Sequence, residues 1–362
     1  MQTQRQEEKG KSPMKKVLLY LIMGVLFLAG FLLLLYPVGE SAITEYRNKE
    51  TITHFQKLMV KEIPREDGSS QSSTREEPSD AREGESTAEN EITVGKDLPY
   101  EDLLREMREY NQRIYEEDQE SLCDAWSYQQ NVFDFHSAGL EDDMVGYITI
   151  DAMNIEIPLY IGANEENMGK GAVVLSQTSM PIGGDNTNCV IAAHRGWYTS
   201  PMFQDIEVLQ PGDEVKVTSL WGTLTYEVVK CIVIYPDDIE AVKIQEGQDL
   251  LTLVTCHPYT KNYQRYVVYC SRTGGELAGS QESVMKEKTA AGEEGTQVTA
   301  EEDTSRKVVI PYEGVAYESS REAIRRERRI NRAGSYLAGG AAVILVLVLL
   351  IRFMKRKKKN RD

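Results

Sequence analysis

The stretch Leu250-Leu251-Thr252-Leu253-Val254-Thr255-Cys256-His257-Pro258-Tyr259 is an apolar, β-branched run that predicts a buried strand. Pro258 should stop this strand, because proline cannot donate to a sheet ladder. Cys256 is therefore expected where a rigid strand passes into a loop, so that the sheet fixes its backbone while its side chain can reach a cleft. Such a cysteine can be a nucleophile, but a lone cysteine is also often a small buried hydrophobic residue.

The rest of this region predicts a small β-fold. From Met144 onward, short apolar runs are separated by Gly, Pro and Asn, with no long helix between them, which favours a small mixed barrel or sandwich of about eight strands. Ahead of them, apolar residues at helical spacing predict an amphipathic helix over Leu98–Glu117. The predicted strands are Val145–Ile150, Ile155–Ile161, Ala172–Leu175, Cys189–Ala193, Glu214–Leu220, Thr223–Tyr235, Leu250–Thr255 and Arg265–Ser271.

Two residues at other strand ends complement Cys256. One predicted strand runs directly into His194, and another opens with Arg265, nine residues after Cys256. Cysteine acyl transfer needs a thiol, an imidazole that handles protons and a cation that stabilises an oxyanion. Alone, His194 reads as a loop histidine and Arg265 as an ion-pairing residue; together with Cys256 they indicate catalysis. His257 is a competing base, but neighbours along a strand point to opposite faces.

The chain ends indicate a membrane. Val17–Tyr36 contains 20 residues without a charge, and Tyr336–Ile351 is a second apolar run followed by the polybasic stretch 352–359. The positive-inside rule then places both termini in the cytoplasm and the middle of the chain outside the cell membrane. Membrane lipid is the expected partner of the two apolar runs. A weak small-residue site after Tyr36 leaves a cleaved signal peptide open. Arg321–Arg332 fits either an interfacial helix on the outer headgroups or a solvated charged helix.

The composition of the chain argues against one class of binding partner. Arg65–Asn90 and Gly274–Ser305 are rich in Glu, Ser and Gly and read as disordered spacers. The net charge of −16 comes largely from these spacers and argues against nucleic acid.

The cysteines and histidines point away from metal chemistry. Three of the five cysteines, Cys189, Cys231 and Cys270, lie in apolar runs and should be buried free thiols. The four histidines are scattered and no Cys-x-x-Cys occurs, so we do not expect a metal site.

The chain is accordingly divided into nine segments. They are a cytoplasmic leader (1–16), a transmembrane helix or uncleaved signal anchor (17–36), a partly disordered extracytoplasmic stalk (37–97), an N-terminal helix and lid (98–143), a catalytic barrel (144–273), a disordered spacer (274–318), a basic juxtamembrane helix (319–333), a second transmembrane helix (334–353) and a polybasic cytoplasmic tail (354–362).

The motif residues resemble a known family. Thr252-Leu253-Val254-Thr255-Cys256, with Arg265 nine residues on and a preceding strand that ends in His194-Arg195-Gly196, is similar to the sortase transpeptidases of Gram-positive cell surfaces. The resemblance runs from about Val145 to Arg272. It implies a mainly β fold, the closed eight-stranded sortase barrel, in which Cys256 is the nucleophile, His194 the acid/base and Arg265 the oxyanion or substrate stabiliser. Thr255 and Leu253 are supporting residues of the same motif.

The subtype follows from the same resemblance. Anchors at both ends and Cys256-x-Pro258-Tyr259 look like class C, the pilin-polymerising sortases, whose N-terminal lid plugs the active site. By this analogy Asp124 pairs with Arg265 and Trp126 covers Cys256, while Ala125 replaces the usual proline and removes a fixed φ angle. The alternative is that Asp124 and Trp126 are ordinary loop residues packed on the barrel.

The resemblance implies cleavage of an LPxTG-like sorting signal between Thr and Gly through a thioester on Cys256. An amine, expected to be a pilin lysine, then takes the acyl group, with no metal or organic cofactor. Three alternatives stay open. They are a housekeeping-type sortase that joins surface proteins to a peptidoglycan precursor, a cysteine peptidase that hydrolyses, and a surface scaffold without activity.

Overall fold

The computed structural model describes residues 43–59, 100–120, 122, 129–196, 200–259, 261–277, 308–326 and 329–330, together with residues 24, 27, 334, 340, 348 and 352. The predicted lid residues Asp124 and Trp126 lie outside these residues, as do the leader, the polybasic tail and nearly all of the two predicted spans. Within the part of the chain that is described, none of the helices combines the length and apolar character needed to cross a bilayer.

Eight strands close into a barrel, as predicted. Strands β2 and β3 are parallel, as are β4 and β7, and the other neighbours are antiparallel. The order around the barrel is β1-β2-β3-β4-β7-β8-β6-β5. The strands are β1 Met144–Ile150, β2 Ile155–Ile161, β3 Ala172–Val174, β4 Thr187–Ala192, β5 Glu214–Ser219, β6 Gly222–Ile234, β7 Asp249–His257 and β8 Gln264–Leu277.

The central strands form because both of their faces are covered. In β7, every residue from Leu250 to Thr255 is buried, which accounts for a continuous apolar run instead of an alternating one. Leu253 has no exposed surface and belongs to the main core cluster. The strand continues to His257, immediately before the proline that the sequence predicted would stop it.

The barrel extends beyond the predicted end at Thr273. Strand β8 continues to Leu277, and Gly222 of β6 pairs with Leu277. The glycine-rich composition of this stretch suggested a spacer, but Gly275 has φ +84° and a Cβ there would lie 2.1 Å from the carbonyl oxygen of Thr223. Glycine therefore allows the close pairing of the two strands, and Leu277 is buried at their end.

Among the described residues, three α-helices that precede β3 in the chain pack against the barrel. Residues 43–59 form helix α1, which buries Ile52 and Phe55, and Phe55 contacts Tyr147 of β1 edge to face. Part of the predicted stalk (37–97) is thus folded onto the barrel, because the helix carries apolar side chains that the composition of the wider segment obscured. Helix α2, Glu101–Glu116, agrees with the predicted amphipathic helix, and helix α3, Glu165–Lys170, was not predicted.

A second difference concerns residues 308–321, here called the C-terminal strap. Ala316 bridges Ile232 of β6, the amide of Tyr317 donates to the Cys231 carbonyl over 2.8 Å, and Ile310 is buried. The sequence predicted a disordered spacer through residue 318. The strap packs because its apolar and tyrosine residues, at positions 308–317, follow the acidic low-complexity stretch and differ from it in composition.

Candidate active site

Cys256 and Arg265 are direct cross-strand partners on β7 and β8. Directly opposed residues of an antiparallel pair project to the same face of the sheet, with Cβ atoms about 4.5–5.5 Å apart. Arg265 Nη1 donates to the carbonyls of Asn262 and Gln264, at 3.2 and 3.0 Å, which holds the guanidinium at the β7–β8 turn. The thiol and the cation predicted from the sequence are thus together at one end of the barrel.

His194 reaches the same end from the other side of β7. Strand β4 runs parallel to β7 with Ala192 beside Val254, and the register continues past the strand through a bond from the Ala193 amide to the Val254 carbonyl, 3.2 Å. The Thr255 hydroxyl donates to the Ala193 carbonyl over 2.7 Å. Extension of this register by two residues sets the backbone of His194 level with that of Cys256. The segment that carries the imidazole is then on one side of Cys256, and β8 with Arg265 is on the other.

The imidazole of His194 is set up as a neutral base. Burial lowers the pKa of His194 below its ordinary value of 6.5, because the charged form loses hydration. At neutral pH the ring is therefore available to accept a proton.

The exposure of the cysteines separates Cys256 from the others. Cys189, Cys231 and Cys270 are buried free thiols, as predicted, whereas Cys256 is partly exposed. Burial raises the pKa of the Cys231 thiol to about 11 and raises the pKa values of the Cys189 and Cys270 thiols further. These three thiols should therefore be poor nucleophiles at neutral pH, which leaves Cys256 as the candidate nucleophile among the four described cysteines.

A buried polar cluster behind Cys256 was missed by the sequence reasoning. Arg195, which follows His194, donates from Nη1 to the Cys256 carbonyl over 3.3 Å and to Nδ1 of His257 over 2.8 Å. Its Nη2 pairs with Glu207 Oε1 over 2.5 Å. The side chain of Arg195 is only 5% exposed, and a buried guanidinium needs such partners. The only available signal was the juxtaposition of His194 and Arg195, which does not reveal a partner in a distant loop.

The same cluster removes His257 from the list of bases. Arg195 can only donate, so its bond to Nδ1 of His257 uses the lone pair of a neutral ring, although Glu207 Oε1 also lies 3.2 Å from this nitrogen. The pKa of His257 is lowered by burial and by the Arg195 cation, against a smaller opposing effect of Glu207. Its ring contacts Tyr266, the cross-strand partner of Thr255, and so lies on the face of the sheet opposite Cys256.

An open cleft of about 690 Å³ adjoins the loops that follow His194 and Cys256. It is lined by helix α1 at Asn48, by the β1–β2 turn at Asp151, by Gly196 and Ser200, and by Tyr259. Tyr259 is about half exposed. The cleft therefore lies at the end of the barrel that carries Cys256, although Cys256, His194 and Arg265 themselves do not line it.

Comparison with known proteins shows which family the barrel resembles. The family model described as the sortase domain matches residues 148–273, which include His194, Cys256 and Arg265. Sortase D of Bacillus subtilis (strain 168) is 27% identical over 130 residues, or 35% of this chain and 63% of that protein. The match thus spans less than two thirds of this curated relative.

Two solved structures are more similar in sequence. Sortase C2 of Group B Streptococcus Pilus Island 1 is 30% identical, over 50% of this chain and 100% of that one, with a TM-score of 0.45. Clostridium perfringens sortase C, solved with the C-terminal cell wall sorting motif, is 34% identical over 51% of this chain and 94% of that one, with a TM-score of 0.43. The chain belongs to the sortase family.

Membership gives the three site residues a common context. Sortases are cysteine transpeptidases, and the matched region spans the strand ends that bring Cys256, His194 and Arg265 together. Thr255 connects β7 to the chain that carries His194, and Leu253 packs the core beneath the site.

Proposed function

We propose that the protein is a membrane-anchored sortase of the class C type. It cleaves an LPxTG-like sorting signal between Thr and Gly and transfers the acyl group to an amine, in particular a pilin lysine. The observation that carries this proposal is the position of Cys256 between His194 and Arg265 at one end of the barrel.

The first half-reaction forms a thioester. The thiol of Cys256 gives its proton to His194, its sulfur attacks the carbonyl carbon of the threonine, and Arg265 stabilises the oxyanion that develops. The bond between the threonine carbonyl and the glycine nitrogen then breaks, and His194 supplies the proton that the leaving amine takes up.

The second half-reaction releases the product. An incoming amine attacks the thioester carbonyl and loses a proton to His194. The carbon–sulfur bond then breaks, and His194 returns the proton to the sulfur, which regenerates the Cys256 thiol. With a lysine ε-amine the product is an isopeptide bond. Two acyl-transfer steps replace a direct exchange between two amides.

Class and substrate are supported by sequence identity. The two sortase C chains are 30% and 34% identical to this chain and are covered almost completely, and one of them was solved with a sorting motif. The sequence between α2 and β1 has Asp124 and Trp126 where a class C lid belongs. We propose that this segment shields the thiol, with the carboxylate occupying the site of the cation.

The proposed location is the cell membrane, with the barrel on the outer side. Two apolar stretches at the chain ends and the polybasic residues 352–359 support an anchor at each end with cytoplasmic termini. Membrane lipid is then a partner of both chain ends, and the cell-wall side holds the protein substrates.

The test is peptide exchange by the full chain in detergent. A peptide containing Leu-Pro-x-Thr-Gly is incubated with and without a lysine-containing pilin peptide, and free acid and conjugate are separated by mass. We expect faster consumption and conjugate formation with the lysine peptide, and no consumption by Cys256→Ala. The control variant Cys270→Ala removes a buried thiol far from the reaction and should keep the activity.

Other outcomes would replace the proposal. Equal release of free acid with and without any amine would identify a hydrolytic peptidase. Conjugation to a peptidoglycan-derived amine in preference to the lysine peptide would identify a housekeeping-type sortase. Unchanged behaviour of Cys256→Ala, together with resistance of Cys256 to alkylation, would indicate a scaffold.

A further inference from the structure

Arg195 ties the two loops of the active site together. It is the residue directly after His194, and its guanidinium is bonded to the backbone carbonyl of Cys256. The bond therefore connects the segment that carries the His194 imidazole to the strand that carries the Cys256 thiol. Because the side chain is buried, this connection is shielded from water and from screening by salt.

Glu207 holds this guanidinium in place. Its carboxylate oxygen lies 2.5 Å from Arg195 Nη2 and 3.2 Å from His257 Nδ1. Glu207 belongs to the short 3-10 helix Ile206–Val208, whose backbone hydrogen bonds are all local, such as that from the Val208 amide to the Asp205 carbonyl over 2.9 Å. The position of this helix relative to Arg195 is therefore set by the packing of its buried residues and by the segments that bond to its carbonyls.

The C-terminal strap packs on this 3-10 helix. The Ser319 hydroxyl donates to the Glu207 carbonyl, and Arg321 Nε donates to the Val208 carbonyl over 2.8 Å. Arg321 also pairs with Asp213. Two consecutive carbonyls of the helix that carries Glu207 are thus held by a segment more than 100 positions later in the sequence.

The strap also covers His257 directly. The ring of Tyr317 meets the ring of His257 edge to face, with centroids 5.5 Å apart, and meets Tyr266 in the same way at 5.2 Å. His257 and Tyr266 lie on the face of β7 and β8 opposite to Cys256. Tyr317 therefore backs the strand end that presents the nucleophile.

We propose that the C-terminal strap positions the active site through Glu207 and Arg195. Tyr317, Glu207 and Arg195 are positioning residues: none of them is placed to contact substrate, and they act by fixing the relative position of Cys256 and His194. Folding of the segment after the barrel is thereby required for full activity. For turnover this inference rests on the proposed function, while the reactivity of the Cys256 thiol tests it independently.

The experiment compares strap variants in the full chain in detergent. Tyr317→Ala removes the ring that backs His257, Tyr317→Phe keeps it, and Tyr312→Ala removes a tyrosine of the same strap that makes no ring contact with the cluster. Glu207→Gln keeps the shape of the side chain but removes the charge that holds Arg195. Each variant is assayed for kcat and KM with the Leu-Pro-x-Thr-Gly peptide, for the rate of Cys256 alkylation by iodoacetamide, and for Tm.

We expect Tyr317→Ala and Glu207→Gln to lower kcat by about tenfold or more with KM within about twofold, since misplacement of reacting groups acts on the chemical step. The rate at which iodoacetamide alkylates Cys256 should differ from the wild-type rate in both variants. Tyr317→Phe should match the wild type in kcat, KM and alkylation rate. Tyr312→Ala, with a comparable loss of Tm, should keep the wild-type kcat. That control separates positioning from a general loss of stability.

Wild-type kcat and alkylation rates in both Tyr317→Ala and Glu207→Gln would overturn the inference. So would an equal loss of kcat in Tyr312→Ala at equal Tm, because the effect would then be one of stability alone. If the wild type does not cleave the peptide, the proposed function fails. Changed alkylation rates in these two variants would still support the positioning role.

Discussion

Cys256 and Arg265 face each other across β7 and β8, as directly paired residues at the end of the barrel where His194 also arrives. The pairing fixes the separation of the two Cβ atoms through backbone hydrogen bonds, and the carbonyls of Asn262 and Gln264 hold the guanidinium. A reacting carbonyl carbon bound at Cys256 would thus have its oxygen on the Arg265 side. The predictions below depend on this arrangement.

Replacement of Arg265 by Ala should reduce thioester formation by about 10²–10³-fold, the range found when a single oxyanion donor is removed. Because stabilisation of the oxyanion acts in the transition state, kcat should fall more than KM rises. Arg265→Lys keeps the charge but loses the planar fork of the guanidinium. Its activity should lie between that of the wild type and that of Arg265→Ala. Single-turnover kinetics measure the effect. An Arg265→Ala enzyme with wild-type kcat would exclude this role.

Stability should decrease in mild acid because of two histidines. Burial lowers the pKa values of His194 and His257 below 6.5, so between the folded pKa and 6.5 the unfolded chain binds more protons than the native protein. Their contribution to stability is full above 6.5 and is lost as the pH falls further. Melting curves between pH 8 and pH 5 should show a falling Tm, with a smaller fall for His257→Gln. If His257→Gln leaves the dependence of Tm on pH unchanged, the loss of stability in acid does not come from His257 and must be assigned to other groups, such as carboxylates.

The lid prediction concerns Trp126. If its ring covers Cys256, Trp126→Ala should accelerate both thioester formation and alkylation of Cys256 by iodoacetamide. Ala125→Pro supplies the missing φ restraint and should slow both reactions. Stopped-flow alkylation at one pH compares the three chains. Identical rates in all three chains would be compatible with catalysis by Cys256 but would exclude a role of Trp126 in covering it.

The core beneath the site sets the stability of the barrel. Leu253 has no exposed surface and lies three residues before Cys256. Leu253→Ala should destabilise the protein by about 2–5 kcal/mol, because it leaves a cavity that the closed barrel can fill only in part. Urea denaturation measures this change. Leu253→Met, of similar volume, is the matched control and should cost less than about 1.5 kcal/mol.

The barrel and the pairing of Cys256 with Arg265 could be predicted because they depend on short-range signals. An apolar run with a stop at Pro258 fixes where β7 ends, and once β7 pairs with its hairpin partner, Cys256 and Arg265 must meet at one end. The position of His194 required one further fact, the parallel pairing of β4 with β7, which adjacent residue patterns do not state.

The Arg195 cluster could not be predicted for the same reason. Its members come from the loop after β4, from the 3-10 helix at Glu207 and from the end of β7, and the strap adds Tyr317 from beyond the barrel. No local pattern relates residues so far apart in the sequence. The strap itself was obscured because segment composition averages an acidic stretch with the short apolar run that follows it.

The central claim is that Cys256 forms a thioester with the substrate. The most direct measurement is intact mass spectrometry of the full chain after incubation with a Leu-Pro-x-Thr-Gly peptide in the absence of an amine, followed by peptide mapping. We expect a mass increase equal to the acyl portion ending at Thr, located on Cys256, absent in Cys256→Ala and discharged when a lysine peptide is added. Cleavage of the peptide by Cys256→Ala, or an adduct on a different residue, would contradict the account.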